Sequence, residues 1–256
     1  MNRMTNEPLV AERLHEGVLT LTLGRMPAHP LSRDMIRALH EAFGRAVENG
    51  SVEVIILHGP GHIFCAGHDL KEVARHRADP DEGRAYVEDL FAACCALMLD
   101  VATCPKPTIA MVEGIATAAG LQLMASCDLA YAAPEASFCL PGVQNGGFCT
   151  TPSVPVSRLI GQKQVMEMTL SGATYDAEWA LANGLINRVI PASELAEFVE
   201  SFARKLATRN QNAVRSGKTA LRQQLELPLN EAYALATPVM VEQFMDPARR
   251  HLDWKP

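Results

Sequence analysis

Two short segments gather the residues whose type and spacing could do chemistry. The first is Phe64-Cys65-Ala66-Gly67-His68-Asp69-Leu70-Lys71-Glu72, which comes soon after the apolar run Val52-Glu53-Val54-Ile55-Ile56-Leu57. The second is Val112-Glu113-Gly114-Ile115-Ala116-Thr117-Ala118-Ala119-Gly120-Leu121-Gln122, after Thr108-Ile109-Ala110-Met111 and closed by Ser126-Cys127-Asp128. Glycines and other small residues after buried strands let a ligand approach the backbone closely. Where such a turn opens a helix, its free N–H groups and the helix dipole suit an oxygen that gathers negative charge. The same spacing also serves tight packing, so each segment alone defines a candidate and not an activity.

The elements that must hold these turns are legible around them. Residues 9–25 alternate in the strand manner, with His15-Glu16-Gly17 as a hairpin turn. Ser32 reads as the N-cap of a helix in which Met35, Ile36, Leu39, Phe43 and Val47 recur until Asn49-Gly50. Residues 52–57, 108–112 and 128–132 read as strands buried on both faces. A long apolar helix is predicted over 86–102, and the charged stretch 75–84 reads as a surface loop. Residues 59–67 and 114–120 read as loops. Helical patterns dominate from Gln162, with Asp176 and Gly184 bracketing a short helix. Strands alternating with helices predict an α/β core with right-handed crossovers. The division expected is a core over 1–192 and a helical C-terminal subdomain over 193–256.

Composition narrows the partners. A chain of 256 residues, 48% hydrophobic and 20% charged, can bury a sizeable core as a soluble globular protein. Lys plus Arg is 23 against 29 Asp plus Glu, and no long basic run occurs, so neither nucleic acid nor a membrane is an expected partner. Cys65, Cys94, Cys95, Cys104, Cys127, Cys139 and Cys149 are odd in number and lack C-x-x-C spacing. They read as reduced, buried thiols and not as a disulfide framework or a zinc site. The first residues carry no apolar signal core, so the expected location is cytoplasmic.

Together the two segments resemble the oxyanion-hole loops of the crotonase (enoyl-CoA hydratase/isomerase) family, which read approximately F-x-A-G-x-D-[LI]-K-E and G-x-[AC]-x-G-G-G-x-E-L. The resemblance extends through the opening hairpin and through Gly172-Ala173-Thr174-Tyr175-Asp176-Ala177 and Ala182-Asn183-Gly184-Leu185-Ile186-Asn187-Arg188-Val189, nearly the whole chain. The wording of residues 67–72 and 116–123 singles out one subgroup of that family. The resemblance implies a crotonase-like α/β spiral of ββα repeats with a C-terminal helical subdomain, assembled as a homo-trimer or hexamer. It implies an acyl-CoA thioester as the ligand, with no metal and no redox cofactor, because coenzyme A enters as part of the substrate. By position, it implies that the backbone N–H groups of His68 and Ala119 hold the thioester carbonyl. Ala66, Asp69, Leu70 and Lys71 fall where the family binds adenine and pantetheine. Lys255 falls where a basic residue meets a neighbouring subunit's coenzyme A.

Two departures matter for chemistry. The family's hydratases carry a glutamate one helical turn after the second donor, where this chain has Gln122, and a second after a proline, where it has Gly142. General acid/base groups typically contribute about 10²–10⁴-fold, so their loss predicts very slow hydration, and restoring both predicts a gain. The His68 imidazole is a candidate base and also a candidate pocket lining, and some decarboxylases of the family share Gly-His-Asp at this loop. Asp69 reads as a cap for loop amides, Glu113 as support for its turn, and Cys149 as an inert core thiol. Three functions stay open: a hydratase/isomerase-type enolate stabiliser, a CoA-thioester decarboxylase or hydrolase, and a non-catalytic acyl-CoA binder.

Overall fold

The computed structural model describes residues 8–252. Glu16 and Gly17 both take positive φ, 47° and 78°, the two-residue turn whose twist matches paired strands. They join β1 (Val10–His15) to β2 (Val18–Leu23). The helix α1 (Arg33–Glu48) starts where Ser32 accepts the Met35 N–H at 3.1 Å. It buries Met35, Ile36, Leu39, Ala42, Phe43 and Ala46, whereas Val47 is exposed and lies off that face. The helix ends on a buried cation: Lys106 Nζ donates to the carbonyls of Ala46 and Asn49 at 2.6 and 2.7 Å, which suits the negative end of its dipole.

Three repeats then follow one plan. In the first, β3 (Val54–Gly59) and β4 (Ile63–Cys65) lead to α2 (Leu70–His76) and α3 (Arg84–Thr103). In the second, β5 (Thr108–Val112) and β6 (Ile115–Thr117) lead to α4 (Ala119–Ser126). In the third, β7 (Leu129–Ala132) and β8 (Ser137–Cys139) lead through a 3-10 turn to α5 (Ser153–Val156) and α6 (Gln162–Ser171). After β9 (Thr174–Asp176), α7 (Ala177–Ala182) and β10 (Arg188–Val189), the chain ends in α8 (Ala192–Ala207), α9 (Gln211–Gln224) and α10 (Leu229–Met245).

The first strand of each repeat joins a six-stranded sheet, ordered β1-β2-β3-β5-β7-β10. The second joins a four-stranded sheet, ordered β4-β6-β8-β9. Pairing is parallel apart from β1 with β2 and β8 with β9. This is the ββα spiral that the resemblance implies. Two predicted loops therefore contain strands, β4 and β6, whose three residues are too few to display a period. Arg75 and His76 end α2, because the helix capped at Asp69 runs on through the start of the charged stretch.

The continuous apolar runs serve two cores. Ile55, Leu57, Ala110 and Val112 face the larger core with α1, α3 and α4. Their neighbours Val54, Ile56, Ile109 and Met111 face a second core closed by Leu195, Val199 and Ala203 of α8. Charge ties α9 to the sheet: Asp128 accepts from Lys218 at 2.5 Å, from Arg222 at 2.8 Å and from the Thr108 N–H at 2.8 Å. By contrast α10 packs mainly on α9 and buries only Ala232 among the described residues. No helix among the described residues is long and apolar enough to cross a membrane.

Candidate active site

The two turns singled out above are locked together by close backbone approach. A Cβ at Gly120 would stand 2.0 Å from the Cys65 carbonyl oxygen, so only glycine fits there. A Cβ at Gly67 would stand 3.1 Å from both the Ala118 Cβ and the Ala119 nitrogen, and Gly67 itself has φ 83°. Residues 28–31 brace the first turn from its other side. The Ala66 N–H donates to Ala28 O at 3.0 Å, the Leu31 N–H to Gly67 O at 2.8 Å, and the Asp69 N–H to Leu31 O at 3.3 Å. Apart from Pro30, nothing in the sequence marks this segment as the brace.

Asp69 caps α2 with its carboxylate, accepting from the N–H groups of Lys71 and Glu72 at 2.9 and 3.4 Å. Leu70 and Lys71 are exposed on that first helical turn, while Ala66 and Asp69 are half-buried beside His68. The four coenzyme-binding candidates thus share one corner. Lys255 lies outside the described residues.

In the second turn Ala118 holds φ 51° and ψ −123°, a conformation that is uncommon without glycine. Its N–H donates to Cys139 O at 3.0 Å, and α4 begins at the next residue. Neither the His68 N–H nor the Ala119 N–H has an acceptor among the described residues. Two unspent donors therefore sit on interlocked loops, one of them at the positive end of a helix. That arrangement can hold an oxygen as it gains charge.

The side chains at positions 68 and 122 carry no charge at neutral pH. The His68 ring lies 4.8 Å from the Phe91 ring, and burial pushes its imidazole down to about 4. Its Nε2 has no hydrogen-bond partner among the described residues. Gln122 is 3% exposed, and its Oε1 also lacks a partner. Gly142 sits in the 3-10 turn (Pro141–Asn145), where a Cβ would stand 2.6 Å from the Cys149 nitrogen and 2.8 Å from the Phe148 carbonyl carbon. No side chain fits, which overturns the expectation that glutamate could simply be restored there. Burial raises the pKa of the Cys149 thiol, which accepts the Gly142 N–H at 3.2 Å. Glu113 supports its neighbouring turn, accepting from the Gly61 N–H at 2.7 Å and pairing with His58 at 2.9 Å. Phe91 was not a sequence candidate, because nothing separates it from the other apolar residues of α3.

A ββα spiral with unpaired donors where its first two repeats meet defines a crotonase-type protein. The chain belongs to the enoyl-CoA hydratase/isomerase family, whose model matches residues 13–251. It is 37% identical over 239 residues to rat enoyl-CoA hydratase domain-containing protein 3, mitochondrial, covering 93% of this chain and 78% of the relative. Against the human protein of that name, identity is 36% over 242 residues, covering 94% and 78%. The crystal structure of the human protein superposes with a TM-score of 0.89 at 34% identity, covering 97% of this chain and 99% of that one. An enoyl-CoA hydratase/isomerase family protein from Silicibacter pomeroyi gives a TM-score of 0.89 at 67% identity, covering 93% and 100%. The subgroup singled out by the wording of the two loops is therefore the domain-containing protein 3 type. The cytoplasmic expectation is corrected by the same finding, since these curated relatives are named mitochondrial. Buried reduced thiols argue against an oxidising compartment but do not single out the cytoplasm.

Proposed function

We propose that this protein binds acyl-CoA thioesters and stabilises the thioester enolate through the backbone N–H groups of His68 and Ala119. The observation that carries this reading is the pair of unspent donors on interlocked loops. In that role the thioester oxygen accepts both hydrogen bonds, and they strengthen as charge moves onto it from the α-carbon. Ala66, Asp69, Leu70 and Lys71 line the coenzyme side of the same corner. Gln122 can orient a group but cannot exchange a proton, and Gly142 offers only backbone. The chemistry thus lacks the acid/base pair that adds water to a double bond. Activation comes from the thioester itself, with no metal or redox cofactor.

The uncharged side chains of His68 and Gln122 support a second reading, a decarboxylase or hydrolase in which the substrate supplies the driving chemistry. A non-catalytic acyl-CoA binder is the third. The region 193–256 acts in this proposal as an assembly subdomain for a homo-trimer or hexamer. Exposed Leu229, Tyr233, Met240, Val241 and Phe244 on α10 support it, since several large apolar side chains exposed on one helix suit an interaction surface.

Titration calorimetry with acyl-CoAs and a crotonyl-CoA hydration assay test the reading together. Micromolar binding with hydration at or below detection is expected. No heat with any acyl-CoA, or rapid hydration, overturns it.

A further inference from the structure

The side chain of His29 ties the 28–31 brace to the six-stranded sheet. It is fully buried, and each ring nitrogen faces a carbonyl oxygen: Nδ1 lies 2.8 Å from Gly24 O and Nε2 3.0 Å from Pro60 O. Gly24 and Pro60 directly follow the paired strands β2 and β3. On the other side, the His29 carbonyl accepts the Cys65 S–H at 3.2 Å, just before the first donor turn. His29 holds φ 44°, so the ring keeps this place against an uncommon backbone conformation.

A carbonyl oxygen only accepts. A neutral imidazole has one N–H, so it would serve one of these oxygens and set a lone pair against the other. A ring protonated at both nitrogens serves both. The charge has a counterpart one peptide group away. The Pro60–Gly61 peptide accepts from His29 at its oxygen and donates its N–H to the Glu113 carboxylate at 2.7 Å. His58 also meets Glu113, but burial lowers its pKa, so it donates as a neutral ring and leaves the carboxylate its charge. Burial pushes the Cys65 thiol up to about 12, which keeps it uncharged. Arg25 and His62, on the flanking segments, are exposed.

Resting on the acyl-CoA reading above, we infer that His29 is a positioning residue for the first donor: its imidazolium clamps the ends of β2 and β3 and so fixes the segment that sets the His68 N–H. The clamp is complete while the ring keeps both protons. It weakens as pH rises and one proton leaves, and thioester affinity falls with it.

Two measurements on the full chain test this. Nitrogen NMR of histidine-labelled protein reads the protonation of each ring directly. At neutral pH the His29 ring shows both nitrogens protonated, and one bare nitrogen overturns the inference. Substituting the other histidines in turn assigns these signals whether or not a His29 variant folds. Calorimetry with butyryl-CoA, from neutral to alkaline pH, then compares the natural protein with His29→Asn. Asparagine tolerates a positive φ and offers a single amide in place of two ring donors. Affinity of the natural protein falls about 5-fold more than that of the variant, the effect of one hydrogen bond, with the ligand's own ionisation common to both. In Glu113→Gln the fall begins at lower pH, because the counter-charge is gone, and this variant serves if His29→Asn folds poorly. Parallel profiles in all three proteins overturn the positioning role. No heat with butyryl-CoA beside a doubly protonated ring overturns the acyl-CoA reading and leaves the clamp in place.

Discussion

The first turn of α4 and the 3-10 turn at Pro141–Asn145, the two places where the resemblance implies that the family's hydratases carry glutamates, differ in kind. At the first, Gln122 keeps a long polar side chain, fully buried, with an oxygen that no protein group satisfies. At the second, the backbone of Phe148 and Cys149 has closed over Gly142. In the proposed reading, one site holds an amide of nearly the same shape as the acid it replaces. The other has lost the space for a side chain. Chemistry can thus be removed by composition or by geometry, and only the first change leaves the mould intact.

The largest expected effect tests the closed slot. Gly142→Glu should cost about 3 kcal/mol of stability, since overpacking against backbone sits at the upper end of its usual range. Thermal denaturation should show Tm falling by about 10 °C. An unchanged Tm would mean that the turn opens readily and that the two sites are alike.

A pH scan examines the retained corner next. The imidazole of His68 is held at about 4 by burial, against an ordinary value of 6.5. The folded state therefore resists protonation while the unfolded chain accepts it. The stability contribution is complete above pH 6.5 and is lost as pH falls towards about 4. The loss is at most about 3 kcal/mol. Denaturant melts of His68→Phe should lack that part of the acid slope.

Gln122→Glu probes the amide site with a smaller change. The new carboxyl fits the old shape but has no donor to meet it, so its pKa rises on folding. Its stability contribution is intact below about pH 4.3 and declines as pH rises, the reverse of the histidine slope. At neutral pH the cost should be about 1–2 kcal/mol by chemical denaturation. Hydration of crotonyl-CoA should stay undetectable, because Gly142 supplies no second group. Appreciable activity would show that one carboxyl suffices.

The smallest effect separates side chain from backbone at the closed slot. Cys149→Ala removes a weak N–H···S contact and a little volume, for about 1 kcal/mol. It should not rescue Gly142→Ala, since the obstruction is the Cys149 nitrogen and not its thiol. Melting the double variant checks this, and a rescue would contradict the backbone account.

Much of this was legible in the sequence. The capping oxygens of Ser32 and Asp176 mark true helix starts, because a side chain that satisfies orphan N–H groups leaves a local signature, and Asp69, read as a cap for loop amides, also starts a helix. The apolar runs reveal strands β3, β5 and β7, for strands buried on both faces need no alternation. Small residues after the strands mark the two turns, while the donor positions His68 and Ala119 within them come from the family resemblance. What stayed hidden is what arises between distant segments. β4 and β6 are defined by pairing and not by period. The bracing of Gly67 by residues 28–31 has no local trace. The closure over Gly142 depends on Phe148 and Cys149, and a glycine in a sequence does not say whether it is there for its conformation or for lack of room.

The sharing of β3 and β5 between two cores has a consequence for cooperativity. Alternate residues of each strand are anchored on opposite sides of the sheet. Neither side can loosen without pulling on the other, so these strands have no low-energy route to partial opening. The donor turns follow the short strands β4 and β6, which come directly after β3 and β5 in the chain. The donors therefore inherit the rigidity of the whole folded unit, and their spacing does not have to be restored each time a ligand departs.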